Sequence, residues 1–375
     1  MENDPSPKRP EGAPQTPPAP SGSAWGGTPP DGPTSFLTPS PAAAEKIAAA
    51  KLRSLGNRSS GVLLLLQVLC AAVMLVLVLA RVALFLGRSG GSPAEIAKAL
   101  SSARGQTVLD SYLATFWGMI LCLAAARKIL RQQVFGWWRR PGISLPFFGK
   151  CVVLTFGAAC AGQILSAAVY YLFGRFGISN GTPNFEFKGD PAVDTVLVVY
   201  VCILAPMLEE TLFRGMILPR LRPWGDRFAV VVSALLFAIF HMNLVQGIPA
   251  FFMGLALGLV AVRSGSVLPG ILIHALNNSL STAFIAAGAG TTSLLGGAYV
   301  MFLCLCLVGA ASLLYHHQRD FALSDMQQTQ APPSRHRYRA FLLQSGWFWA
   351  LSAMFALTCV LFALSPQSSL LQKVS

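Results

Sequence analysis

The stretch Leu208-Glu209-Glu210-Thr211-Leu212-Phe213-Arg214-Gly215 follows a run, from Thr195 to Met207, that is almost purely apolar. Charged side chains in such a segment cost several kcal/mol each at membrane depth, so they indicate a functional site. On a helix, Glu210 and Arg214 are four residues apart and share a face, so they can pair. Glu209 points about 100° away from Glu210, because a helix has about 3.6 residues per turn. One glutamate is therefore neutralised by the arginine, and the other is left for a different role.

The composition places this stretch in a membrane protein. Of the 375 residues, 54% are hydrophobic and only 11% are charged. Apolar runs close to the roughly 20 residues that cross hydrocarbon recur along the chain, which predicts an all-α, polytopic helical bundle. The eight cysteines all fall inside these runs without disulfide or zinc spacing, so we interpret them as packing residues. The net charge of +13 lies in connecting loops, which argues against a nucleic-acid partner and favours membrane lipid.

Nine spans are predicted, each with a boundary error of a few residues. The sixth is short, about 15 residues, and could tilt or dip into the bilayer. Its Gly254 and Gly258 form a small-residue face that lets another helix approach closely. The spans are Gly61–Gly87, Val108–Ala126, Cys151–Phe173, Pro191–Leu218, Phe228–Val245, Ile248–Val262, Val267–Ala287, Leu294–Tyr315 and Trp347–Leu364.

The remaining segments complete a seven-part organisation. Residues 1–42 are rich in Pro, Gly and Ser and are predicted to be a disordered cytoplasmic tail, and residues 43–58 a basic juxtamembrane helix lying along the membrane surface. Then come N-terminal transmembrane helices (59–190), a core (191–290), one transmembrane helix (291–316), a basic cytoplasmic loop (317–346) and a C-terminal transmembrane helix (347–375). No signal peptide is expected, because the first apolar run starts near Gly61.

The distribution of lysine and arginine predicts the orientation. With a cytoplasmic N-terminus, most of the 28 lysines and arginines lie on the cytoplasmic side, as the positive-inside rule requires. This predicts an integral, multi-pass protein, in the plasma (inner) membrane if the chain is bacterial. Six lie on the opposite side: Arg88, Lys98, Arg104, Arg175, Lys188 and Lys373.

Polar residues on three predicted helices converge at one depth. From a rise of about 1.5 Å per residue, Glu209 lies about 15 Å deep and His241 about 20 Å deep. His274 and Asn278, four residues apart on one helix face, lie at about 10 and 16 Å. Unrelated polar residues would scatter in depth, so this convergence predicts a single site.

The chemistry of this set favours hydrolysis by an activated water molecule. A carboxylate beside an imidazole can hold and deprotonate water, and a second histidine with an asparagine can donate hydrogen bonds to an oxyanion. The alternative is a metal site, with zinc as the cofactor, formed by Glu209, His241 and His274. The sequence leaves open whether there is a metal or no cofactor at all.

Other polar residues in the spans have structural explanations. Arg81 is predicted to snorkel or to face the bundle interior, and Asp110 to sit at a favourable helix N-terminus. Trp137 and Trp138 are expected to be interface anchors, and Phe237 to be packing. Glu210 with Arg214 is interpreted as an orienting ion pair.

Three motifs in this region resemble those of the CPBP family, which comprises type II CAAX prenyl endopeptidases and the bacteriocin-processing or immunity proteins called Abi. They are Glu209-Glu210-x-x-x-Arg214, Phe237-x-x-x-His241 and His274-x-x-x-Asn278, and the likeness extends from about Val193 to Ala287. The resemblance implies an intramembrane endopeptidase with a site facing the cytoplasmic side. It implies that Glu209 and His241 activate water, that His274 and Asn278 stabilise the oxyanion, and that Glu210 and Arg214 support them.

The expected substrate is a membrane-associated protein or peptide, or one with a C-terminal motif. Two other functions stay open at this point. The first is a catalytically silent membrane scaffold or immunity protein that binds a membrane partner. The second is a transporter that uses Glu209 as a proton or ion site, although the chain shows no internal repeat of the kind transporters have.

Overall fold

The computed structural model describes residues 40–89, 92, 104–176, 187, 189–287, 293–323 and 334–363, and within these ranges the regular structure is helical, with no strand. The predicted all-α polytopic bundle is confirmed, and the protein is an integral, multi-pass membrane protein. The predicted disordered tail lies outside the described residues, apart from its last three positions.

Ten helices carry the fold of the described residues. Helix α4 contains two π-helical segments and ends in a 3₁₀ turn, and α9 continues through a π-helical segment at Arg339–Leu343. The helices are α1 (Pro41–Ser89), α2 (Arg104–Ile129), α3 (Leu145–Arg175), α4 (Pro191–Trp224), α5 (Asp226–Phe240), α6 (Leu244–Ser264), α7 (Leu268–Ala286), α8 (Leu294–His316), α9 (Ser334–Tyr338) and α10 (Gly346–Ala363).

The prediction of nine spans is not confirmed. Among the described residues, six helices are long and apolar enough to cross a membrane, or seven if α9 with its π segment and α10 form one bent span. Helix α5 has 15 residues, about 22 Å at 1.5 Å per residue, and is too short. Helix α7 carries His274, Asn277 and Asn278 and is not among the six. The sixth predicted span is longer than expected, because α6 has 21 residues.

The basic segment 43–58 is not a separate surface helix. It forms the first part of α1, which runs unbroken for 49 residues. Its alanine-rich sequence favours a continuous helix, and Leu52 and Leu55 are buried in the main hydrophobic core. At Gly56, a Cβ atom would clash with the Phe341 carbonyl oxygen, so the π segment after α9 packs closely on α1.

Close packing of α5 on α6 brings the middle of the bundle together. A Cβ atom at Gly254 would lie 3.1 Å from the Ala234 Cβ, and one at Gly258 would lie 3.1 Å from a Val230 methyl carbon. The small-residue face predicted on α6 therefore contacts α5. This contact brings the backbone of α6 within hydrogen-bonding distance of Arg214 on α4.

Candidate active site

Two distortions of α4 flank the glutamate pair. Its π-helical segments are Tyr200–Leu204 and Thr211–Ile217, on either side of Ala205–Glu210. A proline lies two residues after the end of each π segment, at Pro206 and Pro219. Proline has no N–H and crowds the carbonyl four residues earlier, which disturbs the α-helical ladder. The prolines therefore favour π turns on both sides of the glutamate pair, and single π turns occur frequently at functional sites.

Glu210 and Arg214 form the ion pair that their spacing predicts. The Arg214 Nη1 donates to Glu210 Oε1 at 2.8 Å, and both side chains are 0% exposed. The Arg214 Nη2 donates to the Gly254 carbonyl oxygen of α6 at 3.1 Å. The guanidinium carbon lies 4.5 Å from the centroid of the Phe237 ring, a cation–π contact. The arginine is thus fixed by three helices, and it fixes Glu210 in turn.

His274 lies between the two glutamates. Its Nδ1 is 3.2 Å from Glu210 Oε1, and its Nε2 is 3.9 Å from Glu209 Oε2. Because an ionised carboxylate can only accept, the Nδ1–H donates to Glu210 and Nε2 is directed towards Glu209. The spacing in the sequence predicts only the pairing of Glu210 with Arg214. Contact with His274 could not be found from spacing, because the residues are 64 positions apart in the chain.

His241 follows the last residue of α5 and hydrogen-bonds to its own helix. Its Nδ1 lies 2.8 Å from the Phe237 carbonyl oxygen, so Nδ1 donates and Nε2 is left for the cavity. The Phe237 ring contacts both histidines edge-on, with centroids 4.9 Å from His241 and 5.9 Å from His274. Phe237, predicted to be packing, therefore separates and orients the two imidazoles.

The turn after His241 is held by side chains from three parts of the fold. Met242 has a φ of 53°, a left-handed conformation that is unfavourable for a long side chain. Gln67 of α1 donates to the Phe240 carbonyl at 3.3 Å, and Asn243 donates to the His241 carbonyl at 2.8 Å. Thr358 of α10 shares its one O–H between the Met242 carbonyl and the Phe355 carbonyl of its own helix, each 2.8 Å away. These bonds offset the strain and fix where His241 stands.

Asn278 braces α7 against the first distortion of α4. Its Nδ2 donates to the Val201 carbonyl oxygen at 3.0 Å. That carbonyl is free because the Ala205 N–H bonds to the Tyr200 oxygen instead, and the next candidate donor, Pro206, has no N–H. The predicted role of Asn278 as an oxyanion donor stays a prediction, and the structure adds this bracing contact.

A cavity of about 580 Å³ joins these groups. All four residues predicted to be catalytic line it: Glu209, His241, His274 and Asn278. Glu210 and Arg214 are fully buried next to it, among α5, α6 and α7. The three predicted helices therefore do bring their polar groups to one cavity.

The side chains do not form a metal site as they are placed. In the described ranges, no group of three or more His, Cys, Asp or Glu side chains is arranged to hold a metal ion. This includes the predicted alternative of Glu209, His241 and His274. Nδ1 of each histidine bonds to a protein oxygen, so Nε2 is the nitrogen on each that could bind an ion, but the placement of the three side chains does not bring them together around one. We therefore derive no catalytic step through a metal.

Three residues near the site were not identified from the sequence. Gln67 and Thr358 act on the backbone around His241 and lie far from it in the chain. Trp138, predicted to be an interface anchor, donates its indole N–H to Thr211 Oγ1 at 2.9 Å, next to Glu210. No local pattern marks these residues, because their partners belong to helices that only the fold brings together.

Comparisons with known proteins match the segment that carries this cavity's α4, α5, α6 and α7 residues. Residues 191–280 match the family model described as Type II CAAX prenyl endopeptidase Rce1-like, which is consistent with the CPBP family. An Escherichia coli protein named "Uncharacterized 24.3 kDa protein" is 34% identical over 109 residues, covering 28% of this chain and 50% of that protein. The chain thus spans about half the length of this curated relative. No solved structure matches.

Proposed function

We propose that the protein is an intramembrane endopeptidase that hydrolyses peptide bonds with a water molecule activated by Glu209 and a histidine. The observation that carries this proposal is the arrangement of Glu209, His241 and His274 around one cavity, with Glu209 Oε2 3.9 Å from His274 Nε2. That gap is too long for a direct hydrogen bond and suits a bridging water. The match of residues 191–280 supports a membrane peptidase in general.

Charge balance assigns one mobile proton to the site. Two glutamates and one arginine leave one negative charge in a buried cluster, which low polarity disfavours. A proton on either Glu209 or His274 makes the cluster neutral. Because Glu210 receives the Nδ1–H of His274, an added proton goes to Nε2, which faces Glu209. Glu209 and His274 can therefore exchange one proton across the cavity.

The reaction follows from that exchange. Ionised Glu209 takes a proton from water as the water oxygen adds to the scissile carbonyl carbon. Protonated His274 then presents Nε2–H to the developing oxyanion, which it can stabilise electrostatically. When the C–N bond breaks, the proton held by Glu209 passes to the leaving nitrogen. Glu210 and Arg214 hold His274 throughout, and His241 offers a second imidazole Nε2 for the water or the substrate.

The substrate fits a membrane-associated protein or peptide. Apart from Glu209 and the two histidines, the cavity is lined by apolar and uncharged polar side chains, which suits an extended peptide better than a free ion. The family resemblance adds that the substrate carries a C-terminal motif, prenylated or not. The match to the curated relative covers only 28% of this chain, so the activity of the whole chain is part of the proposal.

The test uses purified protein in lipid with a quenched peptide library that includes farnesylated C-terminal peptides. Wild type is compared with Glu209→Ala and His274→Ala, each with and without a chelator. We expect cleavage by wild type that both substitutions abolish and that chelation leaves intact.

Two other outcomes change the assignment. Cleavage that is lost with the chelator and restored by zinc would replace the water-activation step with a metal-dependent one. No cleavage of any peptide, with both variants retaining full function in cells, would support the membrane scaffold instead.

A further inference from the structure

One end of the bundle is closed over the site by a hydrogen-bonded loop. The connection between α2 and α3, residues 130–144, packs on the corner between α6 and α7. Val267 N donates to the Trp137 carbonyl at 3.0 Å, Gly142 N donates to the Ser264 carbonyl at 2.9 Å, and Ser266 Oγ donates to the Arg139 carbonyl at 2.6 Å. Ser266 and Val267 are both 0% exposed. These bonds seal the corner.

The same end is closed from α4 as well. The second π segment, Thr211–Ile217, is buried along its whole length, between Glu210 and the sealed corner. Trp138 ties it to the α2–α3 connection through Thr211, and the Arg222 guanidinium lies 5.6 Å from the Trp137 ring centroid. Of the described connections at this end (130–144, 222–226 and 264–267), none contributes a residue to the cavity lining.

The cavity extends towards the opposite end of the bundle. Along α4 its lining runs from Glu209 back to Leu197, and along α7 it runs from His274 forward to Thr282 and Ile285. Tyr299, near the start of α8, and Phe187, in the α3–α4 connection, line it there too. Both α4 and α7 thus line the cavity with residues that lie farther from the sealed corner than Glu209 and His274 do.

The sealed end is also the basic end. It carries Arg139, Arg140, Arg222, Arg227 and Arg263, and the positive-inside rule places such connections in the cytoplasm. Phe187, residues 189–196 and residues 286–287 belong to the other side. The basic connections and the end towards which the cavity extends therefore lie on opposite sides of the membrane.

We infer that the cavity opens on the extracytoplasmic side, so that the enzyme takes peptide segments presented from that face of the membrane. This departs from the cytoplasmic opening implied by the family resemblance. The substrate class rests on the proposed peptidase function, whereas the direction of opening does not. The corresponding substrates are secreted peptides or the extracytoplasmic ends of membrane-anchored proteins.

The test is thiol labelling in sealed vesicles of known orientation with a charged, membrane-impermeant methanethiosulfonate. Thr282→Cys reports on the cavity, and Arg140→Cys, which is exposed at the basic end, is the matched control. Both are made in a Cys70→Ala background, since Cys70 also lines the cavity, and the parent without an added cysteine gives the background signal. We expect Thr282→Cys to label in right-side-out vesicles and Arg140→Cys to label only in inside-out vesicles.

Three results would overturn the inference: labelling of Thr282→Cys only in inside-out vesicles, labelling of Arg140→Cys in right-side-out vesicles, or labelling of Thr282→Cys only after detergent. The labelling requires no catalysis, so it separates the two proposals. Thr282→Cys labelled from outside in a protein that cleaves no peptide would keep the opening and reject the peptidase. A peptide cleaved only when added to inside-out vesicles would reject the inferred substrate class.

Discussion

Two arginine–carboxylate pairs lie in the predicted spans, and they differ in what surrounds them. Arg214 and Glu210 are one turn apart on α4, are both 0% exposed, and share contacts with His274, Gly254 and Phe237. On α1 and α2, Arg81 Nη2 lies 2.5 Å from Asp110 Oδ1, and the two side chains are 30% and 4% exposed, respectively. The first pair is next to the cavity and holds a histidine. The second joins two helices.

This difference separates a supporting ion pair at a site from a structural one. A buried pair stabilises little by itself, because desolvation offsets the attraction, so its retention needs another reason. For Glu210 and Arg214 the reason is the orientation of His274. For Arg81 and Asp110 the link between α1 and α2 is enough. The following predictions test whether the two pairs really differ in this way.

The largest difference is expected when the arginines are removed. Arg214→Met leaves Glu210 as a fully buried carboxylate with only the His274 imidazole as its partner, and should lower the free energy of unfolding by about 3–5 kcal/mol. Arg81→Met removes a partner that is only partly buried but still leaves Asp110 buried without it, and should cost about 1–3 kcal/mol. Denaturant unfolding of both variants in the same detergent measures this. Equal losses would show that the two pairs have the same role.

A methyl group next to Glu210 should have a smaller effect. A Cβ atom at Gly270 would lie 3.1 Å from Glu210 Oε2, and the carboxylate cannot turn away because Arg214 and His274 hold Oε1. Gly270→Ala should therefore cost about 1–3 kcal/mol. In the control, Gly149→Ala on α3, the new Cβ has no atom within 4 Å, and helix propensity predicts a gain of about 0.5–1 kcal/mol. A neutral Gly270→Ala would mean that Glu210 is not tightly held.

Thr358 tests whether α10, outside the family-matched segment, supports the site. Thr358→Val keeps the shape but loses the hydrogen bond to the Met242 carbonyl, and should cost about 0.5–1.5 kcal/mol and slow peptide cleavage. Thr358→Ser keeps the hydroxyl and should retain the wild-type rate. If the serine and valine variants cleave equally well, the hydrogen bond does not position the His241 turn.

The smallest effect is expected at an exposed ion pair of the basic end. A hydrogen bond from Lys150, 2.8 Å away, holds the pKa of Asp320 below its ordinary value. A lowered folded pKa adds stability that is present above the unfolded value of about 3.9 and is lost as the pH falls through the folded one. Unfolding midpoints measured against pH should show a slight acid loss that Asp320→Asn removes. An unchanged acid loss in that variant would assign it to other groups.

The fold class and the grouping of the candidate residues could be predicted from the sequence, but their detailed contacts could not. The spacing of Glu210 and Arg214 and the matching depths of Glu209, His241 and His274 were enough to group them, because helical periodicity is local. The π turns of α4 could not be read from periodicity, since they arise where proline removes an N–H. The contact of His274 with Glu210 depends on how α7 packs on α4.

The number of spans and the partners of single polar residues needed the structure. Hydropathy counted α5 and α7 as spans, but α5 ends after 15 residues because the chain turns at His241. Arg81 and Asp110 were explained separately, as a snorkelling side chain and a helix-end carboxylate, and they are in fact each other's partners. Pairing across helices leaves no mark in the spacing of either residue.

The central claim is that the adjacent glutamates have different roles, Glu209 in chemistry and Glu210 in support. The most direct measurement compares Glu209→Gln with Glu210→Gln in the same lipid, recording the rate of peptide cleavage and the unfolding midpoint of each. We predict that Glu209→Gln cleaves about 10²–10⁴-fold more slowly with an unchanged midpoint, whereas Glu210→Gln unfolds more easily. Wild-type cleavage by Glu209→Gln, or the same loss of stability in both variants, would contradict this division.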